Sequence, residues 1–411
     1  MMNKGFKLGV SLLPFLLLTG CLNNVNQDNA NNGELGPDQA SVQTTGHQLS
    51  DDFYRAVIVD GQYQLGASAS VDSTLSSAGN SQAFEAGLLR ISREVFPTDQ
   101  YYLQEGQLID SEALTSWTAR ESETNPEGLN PALSKEEQAQ QEAEASSSES
   151  TDPADNPENP EQENQESNNQ VIVNNDATPI YLSQIMEKDI MVETEDGYAL
   201  SGIVIGLAMN SVYEYTDSEG TVHQQEISVG EMRERGKQYA NIIVGRLRNT
   251  AELRSIPIVV GLYRVAPNNE VVGGTYLVDG ISREGNSVTD WTERNEYRVA
   301  LPIVEAGQSN DQFIYFDQFS DQVRDFFPNL NGISGEALYI NDTLETLRIE
   351  IVSQFYQYTE ITALAQYVTD AAKRHLPEGI DIEINIVSTN GIEAFIGRKP
   401  GETEFASHIF Y

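Results

Sequence analysis

Apolar side chains recur along this chain with two periods, near 3.6 and 2, and the elements they predict come in two similar series. Phe84, Leu88, Ile91 and Val95 are spaced four, three and four apart, which predicts one helix face, ended by Phe96-Pro97. Before it, Val57, Ile58 and Val59 run into Asp60-Gly61 and then Tyr63 and Leu65, a strand–turn–strand signal. Gln107-Leu108-Ile109 predicts a short strand, and Ile203, Ile205 and Leu207 alternate as another. Asp217-Ser218-Glu219-Gly220 predicts a turn. Ser228-Val229-Gly230-Glu231 fits a capping box, in which hydroxyl and carboxylate satisfy free N–H groups at a helix start. Met232, Tyr239, Ile243 and Leu247 then share a helix face, with Arg246 and Arg248 where cations suit the dipole. Ile256, Ile258, Val260 and Leu262 alternate as a strand that Pro267-Asn268-Asn269 turns back through residues 271–278 as a hairpin.

The later chain replays this order. Phe316, Phe319, Val323 and Phe326 form a helix face that ends at Phe327-Pro328. Gly335-Glu336-Ala337-Leu338 answers Gly106-Gln107-Leu108, and Leu347, Ile349 and Ile351 answer Ile203, Ile205 and Leu207. A helix with Ile361, Leu364, Val368 and Ala372 on one face carries Lys373, Arg374 and His375 in its last turn and stops at Pro377. Ile380, Ile382, Ile384 and Ile386 then alternate in the phase of Ile256 to Leu262. The shared order is helix, strand, strand, helix, strand, strand. It predicts an α+β fold of two related repeat domains, each a mainly antiparallel sheet with helices packed on one face. The expected bounds are 50–275 for the first repeat and 276–411 for the second.

Two polar stretches interrupt this pattern. Residues 22–48 are Asn-rich with almost nothing to bury, so 21–49 is expected to be a flexible tether. Residues 136–166 carry acids uninterrupted by Lys or Arg, and Asp152-Pro153, Asn156-Pro157 and Asn159-Pro160 break any helix. A disordered acidic insertion is expected here, spanning 113–176 at its widest. Acidic runs also collect Ca²⁺, but the regular ligand spacing of a calcium loop is absent.

The N-terminus departs from both patterns. Lys4 and Lys7 precede an apolar run over residues 8–18, followed by Leu18-Thr19-Gly20-Cys21. That order is a secretory signal. The run is about half the ~20 residues a membrane span needs, and it contains Pro14. Its Leu-x-Gly-Cys end resembles the bacterial lipobox (Leu18, Thr19, Gly20, Cys21), which implies lipidation of the Cys21 thiol by a diacylglyceryl transferase. Cleavage by the lipoprotein signal peptidase would leave the protein anchored to the membrane, on its extracellular face, through the diacylglyceryl cysteine.

Of 411 residues, 63 are Asp or Glu and 24 are Lys or Arg, a net charge of −39. Losing residues 1–20 removes Lys4 and Lys7 and no acid, so the charge moves to −41. Such a polyanion is repelled by nucleic acid, so no nucleic-acid partner is expected. Cys21 is the only cysteine, so once it is lipidated no disulfide, zinc–thiolate site or cysteine catalysis remains.

Candidate chemistry is sparse. His47, His223, His375 and His408 are isolated, and no metalloprotease helix, nucleophile elbow, phosphate loop or dinucleotide fingerprint occurs. No catalytic residue, metal or cofactor is expected, and the body is not read as an enzyme. Separated residues can still converge in three dimensions. Trp117 and Trp291 sit in polar contexts and are candidate ligand-contacting aromatics, the alternative being that each caps its own domain core. Phe313, Tyr315, Phe316, Phe319, Phe326 and Phe327 cluster as core or as a ligand groove.

Several segments resemble the CamS sex-pheromone lipoprotein family of Gram-positive bacteria. They are Tyr54-Arg55-Ala56-Val57-Ile58-Val59-Asp60-Gly61, Val95-Phe96-Pro97-Thr98-Asp99-Gln100-Tyr101-Tyr102-Leu103-Gln104-Glu105-Gly106-Gln107, Asn125-Pro126-Glu127-Gly128-Leu129-Asn130-Pro131 and Ala208-Met209-Asn210-Ser211-Val212-Tyr213. The likeness runs from about Thr44 to the C-terminus. It implies a repeated domain and an activity in the discarded leader, whose trimmed fragment induces conjugative plasmid transfer in enterococcal donors. The matching fragment is Leu13, Pro14, Phe15, Leu16, Leu17, Leu18, Thr19 and Gly20, and its Pro14 and Thr19-Gly20 end differ from the family's pheromone. For the body, the alternative is an extracellular binding module for a peptide, glycan or cell-wall component.

Overall fold

The computed structural model describes residues 42–45, 47–70, 75, 77–138, 172–173, 177–195, 197–217, 221–303, 311–326, 332–354 and 357–410. Cys21, the peptide 13–20, Phe327 and most of the acidic run lie outside the described residues.

The chain opens with β1 (Val42–Thr44), β2 (Arg55–Val59) and a single-turn helix α1 (Ala67–Ser70). α2 (Ala78–Val95) follows, then β3 (Tyr102–Glu105), α3 (Ser111–Thr118) and β4 (Ile172–Val173). β5 (Leu182–Thr194) and β6 (Gly197–Asn210) form a long hairpin, with β7 (Val212–Thr216) and β8 (Val222–Glu226) beyond it. α4 (Val229–Leu247), β9 (Ile258–Val265), β10 (Thr275–Ser282) and β11 (Thr289–Glu293) complete the first half. The second half runs β12 (Glu296–Leu301), α5 (Ile314–Phe326), β13 (Gly332–Ile340), β14 (Thr343–Val352) and α6 (Tyr358–His375). β15 (Asp381–Ser388), β16 (Gly391–Arg398) and β17 (Ala406–Ile409) end it.

Helix ends follow local chemistry. Ser77 caps α2 by accepting from the Asn80 N–H, and the Phe96 N–H closes its far end on the Ser92 carbonyl before Pro97. The Ser228–Glu231 capping box of α4 is present in both directions. Asn341 and Asp342 take positive φ (51° and 62°) and turn β13 tightly into β14.

The expected duplication is visible in strand pairing. β5 pairs antiparallel with β6, β6 parallel with β9 across α4, and β9–β10–β11 antiparallel. β13, β14, β15, β16 and β17 repeat that series across α6. Ile203 lies beside Ile258 as Leu347 lies beside Ile382. The sheets have eight and six strands, and β4, β8 and β7 form a small third one.

Several expectations need correction. The strand that answers β13 is β5, not residues 107–109, whose N–H groups go to side chains rather than to a neighbouring strand. Tyr63 and Leu65 lie in no strand; after Asp60-Gly61 only a bridge between Val59 and Gln62 forms, and β2 pairs with β1 and β3. The division falls at Arg294–Glu296 rather than at 275/276, because β10 and β11 belong to the first sheet. Part of the tether expected over 21–49 is a strand instead, since Val42–Thr44 pairs with β2. Residues 113–138 do not belong to the insertion expected over 113–176, because α3 and residues 119–138 are built into the first half. Asn130 explains part of this: its amide joins the Thr118 and Leu182 carbonyls and accepts the Tyr181 and Leu182 N–H groups. Glu137 is a second tie. Burial pushes its carboxyl up, but hydrogen bonds from Thr178 and Ser134 outweigh this and hold it down at about 2.

The two sheets bury their faces differently. In the first, Val204, Ala208, Val259 and Tyr263 pack against Phe84, Leu88 and Ile91 of α2. The alternate residues Ile203, Ile205, Leu207, Ile258, Val260 and Leu262 pack against Met232, Tyr239, Ile243 and Leu247 of α4. The helices therefore take opposite faces, which is why β6 reads as the unbroken run Gly-Ile-Val-Ile-Gly-Leu-Ala-Met. In the second, Leu347, Ile349, Ile351, Ile382, Ile384 and Ile386 meet α5 and α6 on one face only. Arg348, Glu350, Glu383 and Asn385 alternate with them on the other. Helices on one face is thus correct for the second repeat and not for the first.

α2 lies close to its sheet because the strand beneath it lacks side chains at two points. A Cβ on Gly206 would come within 2.7 Å of the Phe84 ring, and one on Gly202 within 2.3 Å of Phe96. Gly206→Ala is expected to destabilise the protein by about 1–3 kcal/mol, the cost of overpacking a closed core. Urea unfolding measures this, and an unchanged midpoint would contradict the close approach.

Candidate functional site

The outward face of the second sheet does not stand free. It turns toward α2, and the two form a cleft between the repeats. One wall is the helix face Ala83, Ala86, Gly87 and Arg90, with Arg93 beside it; Arg298, Glu336, Leu338, Thr346 and Arg348 form the other. The helix residues are small at helical spacing, so the trough stays open to a cavity of about 150 Å³. Tyr276 lines it, and Gly87 lets that ring approach: a Cβ there would lie 2.6 Å from it. The start of α2 is pinned by buried Asn80, whose side chain accepts the Ala266 and Gly274 N–H groups and donates to the Ala266 carbonyl.

Ion pairs set the geometry of the walls. Arg90 donates to Glu296 at 2.5 Å, and that glutamate side chain is only 2% exposed. Arg298 donates to the Gly274 carbonyl (3.2 Å) and pairs with Glu336. Arg93 donates to the Asp52 carbonyl at 2.5 Å, and Arg348 uses Nε for Glu383 at 3.0 Å. Guanidinium groups suit such a place, since they stay charged and present a planar fork of donors. A larger hollow of about 800 Å³ lies along residues 120–124, Ala132, Leu133 and Gln138. Its one cation, Arg120, is committed to the Pro131 and Thr178 carbonyls and the Tyr213 hydroxyl, so it offers little to a ligand.

A second concentration of charge is closed. Glu187 and Asp189 share one face of β5 and are nearly inaccessible. Glu187 accepts the Leu108 and Ile109 N–H groups (3.1 and 2.9 Å), and Asp189 accepts that of Gln107 (3.0 Å). A Cβ on Gly106 would strike Glu187 at 2.4 Å, so the strap 106–109 lies directly on the pair. Burial pushes the Glu187 carboxyl well up, reinforced by the neighbouring Asp189 charge. Burial likewise raises Asp189, to about 6, against the pull of the Gln107 N–H. Two like charges this close and this buried oppose each other's ionisation, so the pair favours holding one proton. Lys188 points the other way, to Glu85 (2.5 Å) and Glu105 (2.8 Å). Chemically the pair could move a proton, but the strap that it anchors seals it from substrate.

The sequence-derived candidates fall elsewhere. Trp117 is corrected to a core residue: it is buried, Nε1 donates to Glu127 (3.2 Å), and Arg246 stacks 4.8 Å from the ring. Trp291, half-buried on β11, packs beside the same core with Lys237 5.1 Å from its ring. Phe313, Phe316 and Phe319 are core, while Phe326 is exposed and stacks on Tyr367 at 3.9 Å. His375 meets Gln322 at the end of α6, His223 meets Asp217 and stacks on Tyr215, and His408 lies beside Phe410. No two of the four histidines share an element. Among the described residues no group of three or more His, Cys, Asp or Glu could hold a metal ion, and no helix is long and apolar enough to cross a membrane. The lipobox and the peptide lie outside the described residues. Sequence reasoning missed the arginines of the cleft, which come from three separate elements, α2, β12 and β14; the signal available was an arginine between core residues, as in Leu347-Arg348-Ile349.

Fold and cleft together define a duplicated α+β body with two unequal sheets and an arginine-lined junction. A profile described as CamS sex pheromone cAM373 precursor matches residues 63–149 and 147–404. The chain belongs to the CamS sex pheromone precursor family. It is similar to the crystal structure of a sex pheromone precursor from Lactobacillus salivarius subsp. salivarius UCC118, with 32% identity over 90% of this chain and 99% of that one (TM-score 0.75). It is also similar to the C-terminal domain of the sex pheromone staph-cAM373 precursor from Staphylococcus aureus, with 25% identity over 82% and 98% (TM-score 0.61). No curated protein matches the chain.

The shared proton gives a pH dependence of known sign. Asp189 titrates near 6 when folded and near 3.9 when unfolded, so the folded state binds more protons between these values. Its contribution to stability is complete below about pH 3.9 and is lost as pH rises through about 6. Asp189→Asn keeps an acceptor for Gln107 and a donor for Glu187 without the charge. It is expected to be more stable than wild type at pH 8, by on the order of 1–3 kcal/mol, with the gap closing toward pH 4. Urea unfolding at both pH values measures this, and an equal loss at both would contradict a shared proton.

Proposed function

We propose that this chain is a lipoprotein precursor with two products. Residues 1–20 direct export; Cys21 receives a diacylglyceryl group, becomes the new N-terminus and holds the body on the extracellular face of the cell membrane. The released leader is trimmed to the apolar peptide 13–20, which acts as a signal affecting conjugative plasmid transfer. The observation that carries this is Leu18-Thr19-Gly20-Cys21, directly after an apolar run too short to span a membrane and holding the only cysteine. Family membership supports the signalling half, since the profile and both relatives carry the description sex pheromone precursor. The partners this requires are a diacylglyceryl transferase and the lipoprotein signal peptidase. No catalytic role is assigned to the body.

A second reading concerns the body, as an extracellular binding module. The open cleft between the repeats favours it, because a concave site with convergent charged donors is where ligands bind.

Labelling cells with a radioactive fatty acid tests the anchor. Wild type is expected to take up label and to begin at Cys21, whereas Cys21→Ala stays unlabelled with its leader attached. A mature product that begins elsewhere would overturn the anchor. Synthetic peptide 13–20 is expected to provoke clumping or transfer in plasmid-bearing donors, and silence at every dose would remove the signalling half.

A further inference from the structure

We infer that the cleft between the repeats binds an oxyanion, a carboxylate or phosphate group carried by a larger ligand. This rests on the binding-module reading of the body and is independent of the anchor and the peptide.

Charge makes the first argument. A chain with 63 acids and 24 Lys and Arg has a surface that repels anions. In the cleft the balance reverses: Arg90, Arg93, Arg298 and Arg348 face Glu296 and Glu336. One sixth of the chain's cations lie in one small trough.

The second argument is unspent donors. Arg90 and Arg298 are bound to the two glutamates and fix the walls. Arg348 spends Nε on Glu383, and Arg93 spends one terminal nitrogen on the Asp52 carbonyl. Both terminal nitrogens of Arg348 and the second of Arg93 remain for a ligand. Paired N–H groups on a planar fork match the two oxygens of a carboxylate or phosphate. Arg93 comes from the first repeat and Arg348 from the second, so an anion held by both ties the repeats together.

Size sets the limit. About 150 Å³ is the liquid volume of about five waters. That accepts one oxyanion group, with the rest of the ligand lying outside the trough.

Calorimetric titration of the purified full chain tests this with two probes, inorganic phosphate and N-acetyl-alanyl-alanine, the latter compared with its uncharged C-terminal amide. At least one anionic probe is expected to bind saturably at millimolar concentration while the amide does not. Phosphate alone binding points to a phosphorylated ligand, and the dipeptide alone to a peptide C-terminus. Arg93→Gln with Arg348→Gln, and each singly, are expected to weaken binding, by at least about tenfold for the pair. Lys373→Gln with Arg374→Gln removes the same charge from the end of α6, outside the cleft, and is expected to change affinity by less than about twofold. Circular dichroism confirms that each variant is folded. No saturable binding by either anion overturns the proposal, as does equal weakening by the Lys373/Arg374 pair. Ligand binding that persists in the Arg93/Arg348 variant would remove the cleft but leave the binding-module reading standing.

Discussion

The arrangement of the two repeats depends on one buried carboxylate. Glu296 opens β12, the first strand of the second sheet, and its side chain has almost no contact with solvent. A carboxylate in that position needs a charged partner, and Arg90 on α2 supplies it from the other repeat. The residues around it reinforce the junction. The Arg294 N–H donates to the Leu277 carbonyl of the first sheet, while the Asn295 carbonyl accepts from Asn341 of the second. Arg294 grips Glu94 with both terminal nitrogens at 2.8 Å and also pairs with Asp279. A polar junction of this kind sets orientation through geometry, where an apolar contact would permit sliding.

That junction exists because the sheets are unequal. Both faces of the first are covered by helices, so it has no surface left for the second repeat. The second covers one face and leaves a polar face whose Arg348 and Glu336 become a wall of the cleft. The duplication therefore yields two copies with different tasks: a closed three-layer unit that supplies a helix, and a two-layer unit that supplies a charged sheet. Gly206 lets α2 lie close to its own sheet, and Gly87 lets the Tyr276 ring approach the helix beneath the trough.

Much of the fold was legible in residue order. The alternation of Leu347, Ile349 and Ile351 and of Ile382, Ile384 and Ile386 located the second sheet and its covered face, and the Ser228–Glu231 box located α4. What misled was parity. Ile203, Ile205 and Leu207 do alternate, but the intervening Gly202, Val204, Gly206 and Ala208 are also apolar, a sign of burial on both faces. Residues 107–109 looked like a strand because Leu108 and Ile109 are apolar, yet their N–H groups are taken by Asp189 and Glu187 across 78 residues or more, bonds with no local trace. The site was less legible still. Glu187-Lys188-Asp189 within an apolar strand was a visible anomaly, since charges in such a run must find partners inside. Arg90 and Arg348, separated by most of the chain, carry no shared pattern. Trp117 pointed away from the cleft because its polar neighbours, Thr115 and Ser116, belong to the solvent side of α3 while the indole turns inward.

The central claim is that Arg90 and Glu296 join the two repeats, and a double-mutant cycle tests it most directly. Arg90→Gln, Glu296→Gln and the double variant are compared by urea unfolding. A coupling energy of about 1–3 kcal/mol is predicted, with either single change costing more than half of what the double change costs. Strict additivity of the two single changes would show that the repeats are not held through this pair.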